Sequence, residues 1–178
     1  MKFIIGILFF ILSMDTQLLF DFNKNSILEN WSVVDDEVMG GRSQGSFALS
    51  DAGHGQFSGK ISLQNNGGFS SVKYEFSPIA LTKDHLIRIR LKGDGKKYQF
   101  RVKHKTGDYA SYISYFETNG DWQDVEFKLG DLYPTFRGRK LNEPNFDHNS
   151  IEEIRFLIGN EKPESFNLLI DKIELIKE

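Results

Sequence analysis

Three carboxylates stand together at Asp35-Asp36-Glu37, a grouping that could hold calcium or supply an acid and a base. Calcium sites draw several oxygens from a spaced Asp/Asn/Gly loop, and that spacing is missing here. Glycoside hydrolysis needs two carboxyl groups facing each other across the substrate. Neighbours on an extended chain point to opposite sides, so Asp35 and Asp36 cannot both face one sugar. They read as a solvated loop whose carboxylates fold back onto backbone amides. None of the four histidines, His54, His85, His104 and His148, lies at metal-ligand spacing to another, and each reads as a surface or turn residue. No Gly-x-Ser-x-Gly elbow is present. The chain has no cysteine, which excludes disulfides, thiol catalysis and cysteine-ligated zinc. Gly93-Asp94-Gly95-Lys96-Lys97 lacks the spacing of a phosphate loop and the helix that must follow one. No catalytic residue, metal or cofactor is expected, and the chemistry that remains is binding.

The elements that would position a binding surface are strands. Ile87, Ile89 and Leu91 alternate with Arg88, Arg90 and Lys92, the period of a strand with one buried face. Tyr98, Phe100 and Val102 alternate in the same way with Gln99, Arg101 and Lys103. Gly93-Asp94-Gly95 between them predicts a tight hairpin, which would put Arg88, Arg90, Arg101 and Lys103 on one outward face. Further strands read at 18–22, 31–34, 45–49, 57–63, 69–76, 109–117, 122–129, 154–158 and 166–175. Residues 149–153 and 131–133 could each make one helical turn. The 16 phenylalanines suit the inner faces of packed sheets, and 16 glycines against 4 prolines suit many tight turns. About ten or eleven short strands at regular spacing predict an all-β sandwich or barrel. Residues 134–150 form the longest stretch without a strand pattern.

A net charge of −3 argues against a general nucleic-acid binder. Lys2 followed by the apolar run Phe3 to Leu12 fits an export signal and is too short to span a bilayer. The expected organisation is a signal peptide or anchor over 1–17 and one domain over 18–178. The expected location is periplasmic or membrane-associated if the leader is a signal peptide, and cytoplasmic otherwise.

Trp31-Ser32-Val33-Val34-Asp35-Asp36-Glu37-Val38-Met39-Gly40-Gly41-Arg42-Ser43 resembles the N-terminal hallmark of the complex I intermediate-associated protein 30 family. The match continues through Phe57-Ser58-Gly59-Lys60-Ile61-Ser62, Asn65-Asn66-Gly67-Gly68-Phe69-Ser70-Ser71-Val72 and Leu91-Lys92-Gly93-Asp94-Gly95-Lys96-Lys97-Tyr98. Trp122, Val125, Phe127, Pro134-Thr135-Phe136-Arg137-Gly138 and Asp171-Lys172-Ile173 close it. The resemblance implies a jelly-roll β-sandwich of the galactose-binding-domain-like kind. It implies a non-enzymatic assembly factor or chaperone, with respiratory-complex subunits or assembly intermediates as partners. A carbohydrate-binding protein is the second reading, with Tyr98, Tyr109, Tyr112, Tyr115 and Trp122 as candidate stacking rings.

Asp35, Asp36, Met39, Arg42, Asn66, Phe69, Arg137 and Arg139 are the candidate partner- or ligand-binding residues. The irregular segments around Asp35–Ser43 and Pro134–Lys140 are expected to meet at a shared rim, where Asp35 or Asp36 could pair with Arg137.

Overall fold

The computed structural model describes residues 15–177; the apolar run at 3–12 lies outside them. Among the described residues thirteen strands form two sheets. They are β1 (Asp15–Asp21), β2 (Trp31–Asp35), β3 (Gln44–Leu49), β4 (Gly55–Ile61), β5 (Ser70–Ala80), β6 (Leu86–Lys92) and β7 (Lys97–Lys103). Then follow β8 (Ser111–Glu117), β9 (Trp122–Lys128), β10 (Tyr133–Phe136), β11 (Arg139–Lys140), β12 (Ser150–Ile158) and β13 (Glu164–Lys177). One sheet runs β3-β4-β13-β6-β9, with β1 also on β13; the other runs β11-β10-β8-β7-β12-β5-β2. The fold is a sandwich, one of the two architectures that the strand spacing predicts, and it is of the jelly-roll kind that the family resemblance implies.

The inner faces follow from the alternations. Ile87, Ile89 and Leu91 are fully buried, and so is Phe100, with Tyr98 and Val102 beside it nearly so. Phe100 of β7 stacks on Phe127 of β9 with ring centroids 4.5 Å apart, which ties one sheet to the other. Removing a phenyl ring from such a place costs about 3–5 kcal/mol. Trp31 is held at 4.8 Å between Phe47 and Tyr74, closing the core beneath β2 and β3.

The predicted hairpin at Gly93-Asp94-Gly95 is not a hairpin. β6 pairs with β13 and β9, whereas β7 pairs with β8 and β12, so the chain crosses here from one sheet to the other. A Cβ on Gly93 would meet Thr118 at 2.4 Å, so the corner must pass close to that side chain. Asp94 stabilises the corner, accepting hydrogen bonds from the Tyr98 hydroxyl, the Lys96 ammonium and the Asn167 amide at 2.7–2.9 Å. Arg88 and Arg90 therefore lie on the outer face of the six-stranded sheet, and Arg101 and Lys103 on the outer face of the seven-stranded one. The expected shared basic face does not exist.

Smaller differences have local causes. β1 begins at Asp15, ahead of the expected start at Leu18, because its ladder with β13 begins at Asp15 and Lys177. Residues 149–153 hold no helical turn: β12 begins at Ser150. The turn expected at 131–133 is a 3₁₀ turn over Leu129–Asp131.

Candidate functional site

The hallmark segment is organised by a buried carboxylate. Asp36 has no exposed surface. It accepts hydrogen bonds from the Ser43 amide at 2.9 Å, the Ser43 hydroxyl at 2.5 Å, and the Gly68 and Phe69 amides at 2.6 and 3.3 Å. Burial alone would raise its pKa, but these hydrogen bonds outweigh that and hold it below the usual value. A Cβ on Gly41 or Gly67 would fall 2.2–2.5 Å from the same carboxylate, so glycine is needed on both sides. Asp35 is likewise committed, accepting from the Ser70 hydroxyl at 2.5 Å and the Gly45 amide at 2.8 Å. The carboxylates do fold back onto amides, but Asp36 is in the interior and not in a solvated loop.

This stitching joins residues 35–45 to residues 67–70 and displays their side chains. Val38 and Met39 are 74% and 59% exposed, and Leu63 nearby in the chain is 42% exposed. Arg42 and Asn66 are exposed and Phe69 is half-buried.

Arg137 and Arg139 lie elsewhere. The stretch from 134 that shows no strand pattern opens with β10 and β11, joined through Arg137 (φ 48°) and Gly138 (φ 77°) as a two-residue hairpin. β11 and β2 are opposite edges of the seven-stranded sheet, with five strands between them. At about 4.8 Å per strand spacing the two segments are roughly 29 Å apart. The expected shared rim and the Asp35 or Asp36 pairing with Arg137 are not formed; Arg137 lies over Phe136 at 5.2 Å instead.

The arrangement with most chemical content is the outer face of the seven-stranded sheet. Backbone register places Tyr133, Ile113, Arg101, Arg155, Lys73 and Ser32 side by side across β10, β8, β7, β12, β5 and β2. Three cations are thus direct cross-strand neighbours, an arrangement that destabilises a sheet unless offset. The adjacent row offsets two of them. Glu153, 2% exposed, accepts from Arg155 at 2.9–3.0 Å, and Glu75 takes Lys73 at 2.6 Å. Arg101 has no such carboxylate. Its Nε and Nη2 donate to the single Gln99 amide oxygen, and Gln99 in turn donates to the Tyr115 hydroxyl at 3.1 Å. Burial, and next the Arg155 guanidinium, bring Arg101 down to about 10, so it stays charged at neutral pH.

Several residues of this face are covered by their neighbours despite pointing outward. Gln99, Ile113 and Leu157 are 3–8% exposed, yet Ile113 and Leu157 stand apart from the interior core cluster. Tyr115 remains 44% exposed beside them. Alternation in the sequence shows that Arg101 faces outward. Its neighbours Arg155 and Lys73 come from pairings that no local signal reveals.

Two other groupings escaped the sequence. His104 and His148 stack in parallel at 4.5 Å, and His148 meets the Tyr112 hydroxyl at 2.8 Å. Burial, then the charge on His104, lowers the His148 pKa. Among the described residues, no group of three His, Cys, Asp or Glu side chains is placed to hold a metal ion. A hollow of about 250 Å³ lined by Gln17, Ala80, His85, Leu175 and Lys177 gathers no comparable set of polar groups.

Comparison with known proteins now adds kinship. A family 11 carbohydrate-binding module of a cellulosomal cellulase from Clostridium thermocellum superposes with a TM-score of 0.70 at 16% identity, covering 93% of this chain and 96% of that one. The Clostridium thermocellum module in complex with a β-1,3-1,4-mixed-linked tetrasaccharide gives 0.69 at 18% identity, covering 91% and 95%. At such identities the likeness is one of fold. Complex I intermediate-associated protein 30, mitochondrial, of Drosophila melanogaster is 22% identical over 148 residues, 70% of this chain. This chain spans about half the length of that relative, 50%. The model of complex I intermediate-associated protein 30 matches residues 20–170. With that match over most of its length, the chain belongs to the complex I intermediate-associated protein 30 family.

Proposed function

We propose that this chain is a non-catalytic binding protein that serves, as its family's name describes, in the assembly of a protein complex. Its partner is a respiratory-complex subunit or an assembly intermediate. The observation that carries this reading is the hallmark end. Asp36 pins two loops rigidly while Val38 and Met39 project 74% and 59% exposed. Exposed apolar side chains on a pre-ordered surface suit a protein partner, because little ordering entropy is then lost on docking. Met39→Asp tests it by affinity recovery from the native cell. Partner recovery should fall severalfold with the melting temperature unchanged; equal recovery would sink the reading. The N-terminal apolar run supports an exported location, and intact-mass measurement on native protein checks it, a full-length soluble cytoplasmic chain refuting it.

A second reading, carbohydrate binding, is favoured by the outer face of the seven-stranded sheet. Its strands β7 and β12 have ladder partners on both sides, so their backbone is committed and a ligand lying over them must be read by side chains. Sugar hydroxyls are read in that way, with rings such as Tyr115 and Tyr133 to stack on. Affinity electrophoresis in gels holding neutral or acidic polysaccharides tests it. Retardation in any of them supports it, and unaltered mobility in all of them ends it.

A further inference from the structure

The geometry points to a site centred on Arg101, on the outer face of the seven-stranded sheet, that takes a carboxylate-bearing saccharide, a uronate, with the carboxylate seated on the Arg101 guanidinium. This rests on the carbohydrate reading and names the class of sugar.

The case begins with charge. Lys73, Arg155 and Arg101 form a cationic row in direct register. Two of them are matched by Glu75 and Glu153 within 3.0 Å. Arg101 is the member that no carboxylate touches: Glu153 favours its charge only from a distance, and among the described residues its hydrogen-bond acceptor is the neutral Gln99 amide. A partly buried cation without a counter-ion costs free energy that a well-packed apolar residue would not. Such a cation gains most from an incoming anion, because little water has to be displaced and the surrounding dielectric is low. Among the described residues Nη1 has no hydrogen-bond acceptor, and it is not one of the side-chain atoms sealed without a partner. It is thus available to one carboxylate oxygen.

The surroundings select a saccharide over an acidic peptide. Tyr133 and Ile113 continue the Arg101 row, and Tyr115 neighbours Gln99 in the next. These supply aromatic rings and one amide beside the cation; Lys97 Nζ lies 4.3 Å from the Tyr115 ring centre and Lys140 Nζ 4.8 Å from that of Tyr133, so a sugar stacks on the ring faces those ammonium groups leave open. A peptide backbone laid across the face would bring amides that need partners. The ladders of β7 and β12, which carry Arg101 and Arg155, have none to give, since each is paired on both sides, whereas β8 meets β10 only over Ser111–Ile113.

The test is affinity electrophoresis of the full chain in gels containing polygalacturonate, alginate or hyaluronan, each alongside its carboxyl-reduced form. At least one acidic polymer should retard the protein, with its reduced form at least tenfold weaker. Arg101→Met should lose that retardation while keeping the melting temperature. Arg101→Lys keeps the charge but not the fork, and should recover only part of it. Reduced polymers binding as well as acidic ones, with Arg101→Met indifferent, would overturn the uronate assignment and leave the carbohydrate reading standing. No retardation by any polysaccharide would overturn both. Binding of poly-glutamate alone would replace the saccharide by an acidic protein segment.

Discussion

The two outer faces of this sandwich carry similar residues and treat them differently. On the six-stranded sheet, Arg88 stands opposite Glu126 and Arg90 opposite Asp124. Lys172, opposite Arg90 on its other side, faces Asp21 and pairs with Glu174 at 2.9 Å, so each of these cations has an anion across the ladder or beside it. Arg88 and Glu126 meet at 2.7 Å with both side chains well exposed. On the seven-stranded sheet, like faces like: Arg101 opposite Arg155, and Arg155 opposite Lys73. The first face solves its electrostatics locally and has no further use for a charged ligand. The second leaves one guanidinium over, in a place where water shields it less. Matching charges across strands is cheap and available to any sheet, so the unmatched face is the one with a task.

The contrast can be broken most sharply at Glu153. Its removal as Glu153→Gln leaves Arg155 uncompensated beside Arg101, and stability should fall by about 3 kcal/mol in urea denaturation. A loss under about 0.5 kcal/mol would mean that solvent already screens this face.

Asp36 separates burial from charge pairing, because it is held by hydrogen bonds alone. Asp36→Asn should cost about 2 kcal/mol at neutral pH. Its folded-state pKa is depressed, so the unfolded chain binds more protons in acid. The stabilisation is therefore present above the ordinary carboxylate value of about 4 and is lost as pH falls below it. Melting temperature against pH should flatten in the variant between about pH 5 and 2; an unchanged slope would assign acid sensitivity to other groups.

Arg101→Met should have the opposite sign, leaving stability unchanged or raising it by about 1 kcal/mol, since it removes an uncompensated charge. Clear destabilisation would show that Arg101 serves the fold. Smallest of all, Glu126→Gln on the six-stranded face should change stability by less than about 0.5 kcal/mol, with what remains disappearing in 1 M salt.

What could be seen in the sequence was what is local. The alternation at Ile87, Ile89 and Leu91 located a strand and its buried face, and the repetition of such runs gave the sandwich. The Gly93-Asp94-Gly95 corner was misread because glycine-rich turns serve hairpins and sheet crossings alike. Only the partners of β6 and β7 tell them apart. β10 and β11, four and two residues long, are too short for alternation to show. The predicted site was legible at Asp36 in kind, as a carboxylate folded onto amides, but not in its burial. Arg137 was placed beside it by elimination, and elimination cannot supply distance. The cationic row was invisible because Lys73, Arg101 and Arg155 meet only through register between strands far apart in the chain.

The central strand of the six-stranded sheet is also the last one described. β13 pairs with β1, β4 and β6, so three earlier strands wait for it on the ribosome with their edges unpaired. Folding is therefore dominated by contacts of long sequence separation, which places it among slow, millisecond-to-second folders. Nascent chains should stay open to proteases until β13 emerges, and losing a few residues near Ile170 should cost the whole domain and not a frayed end.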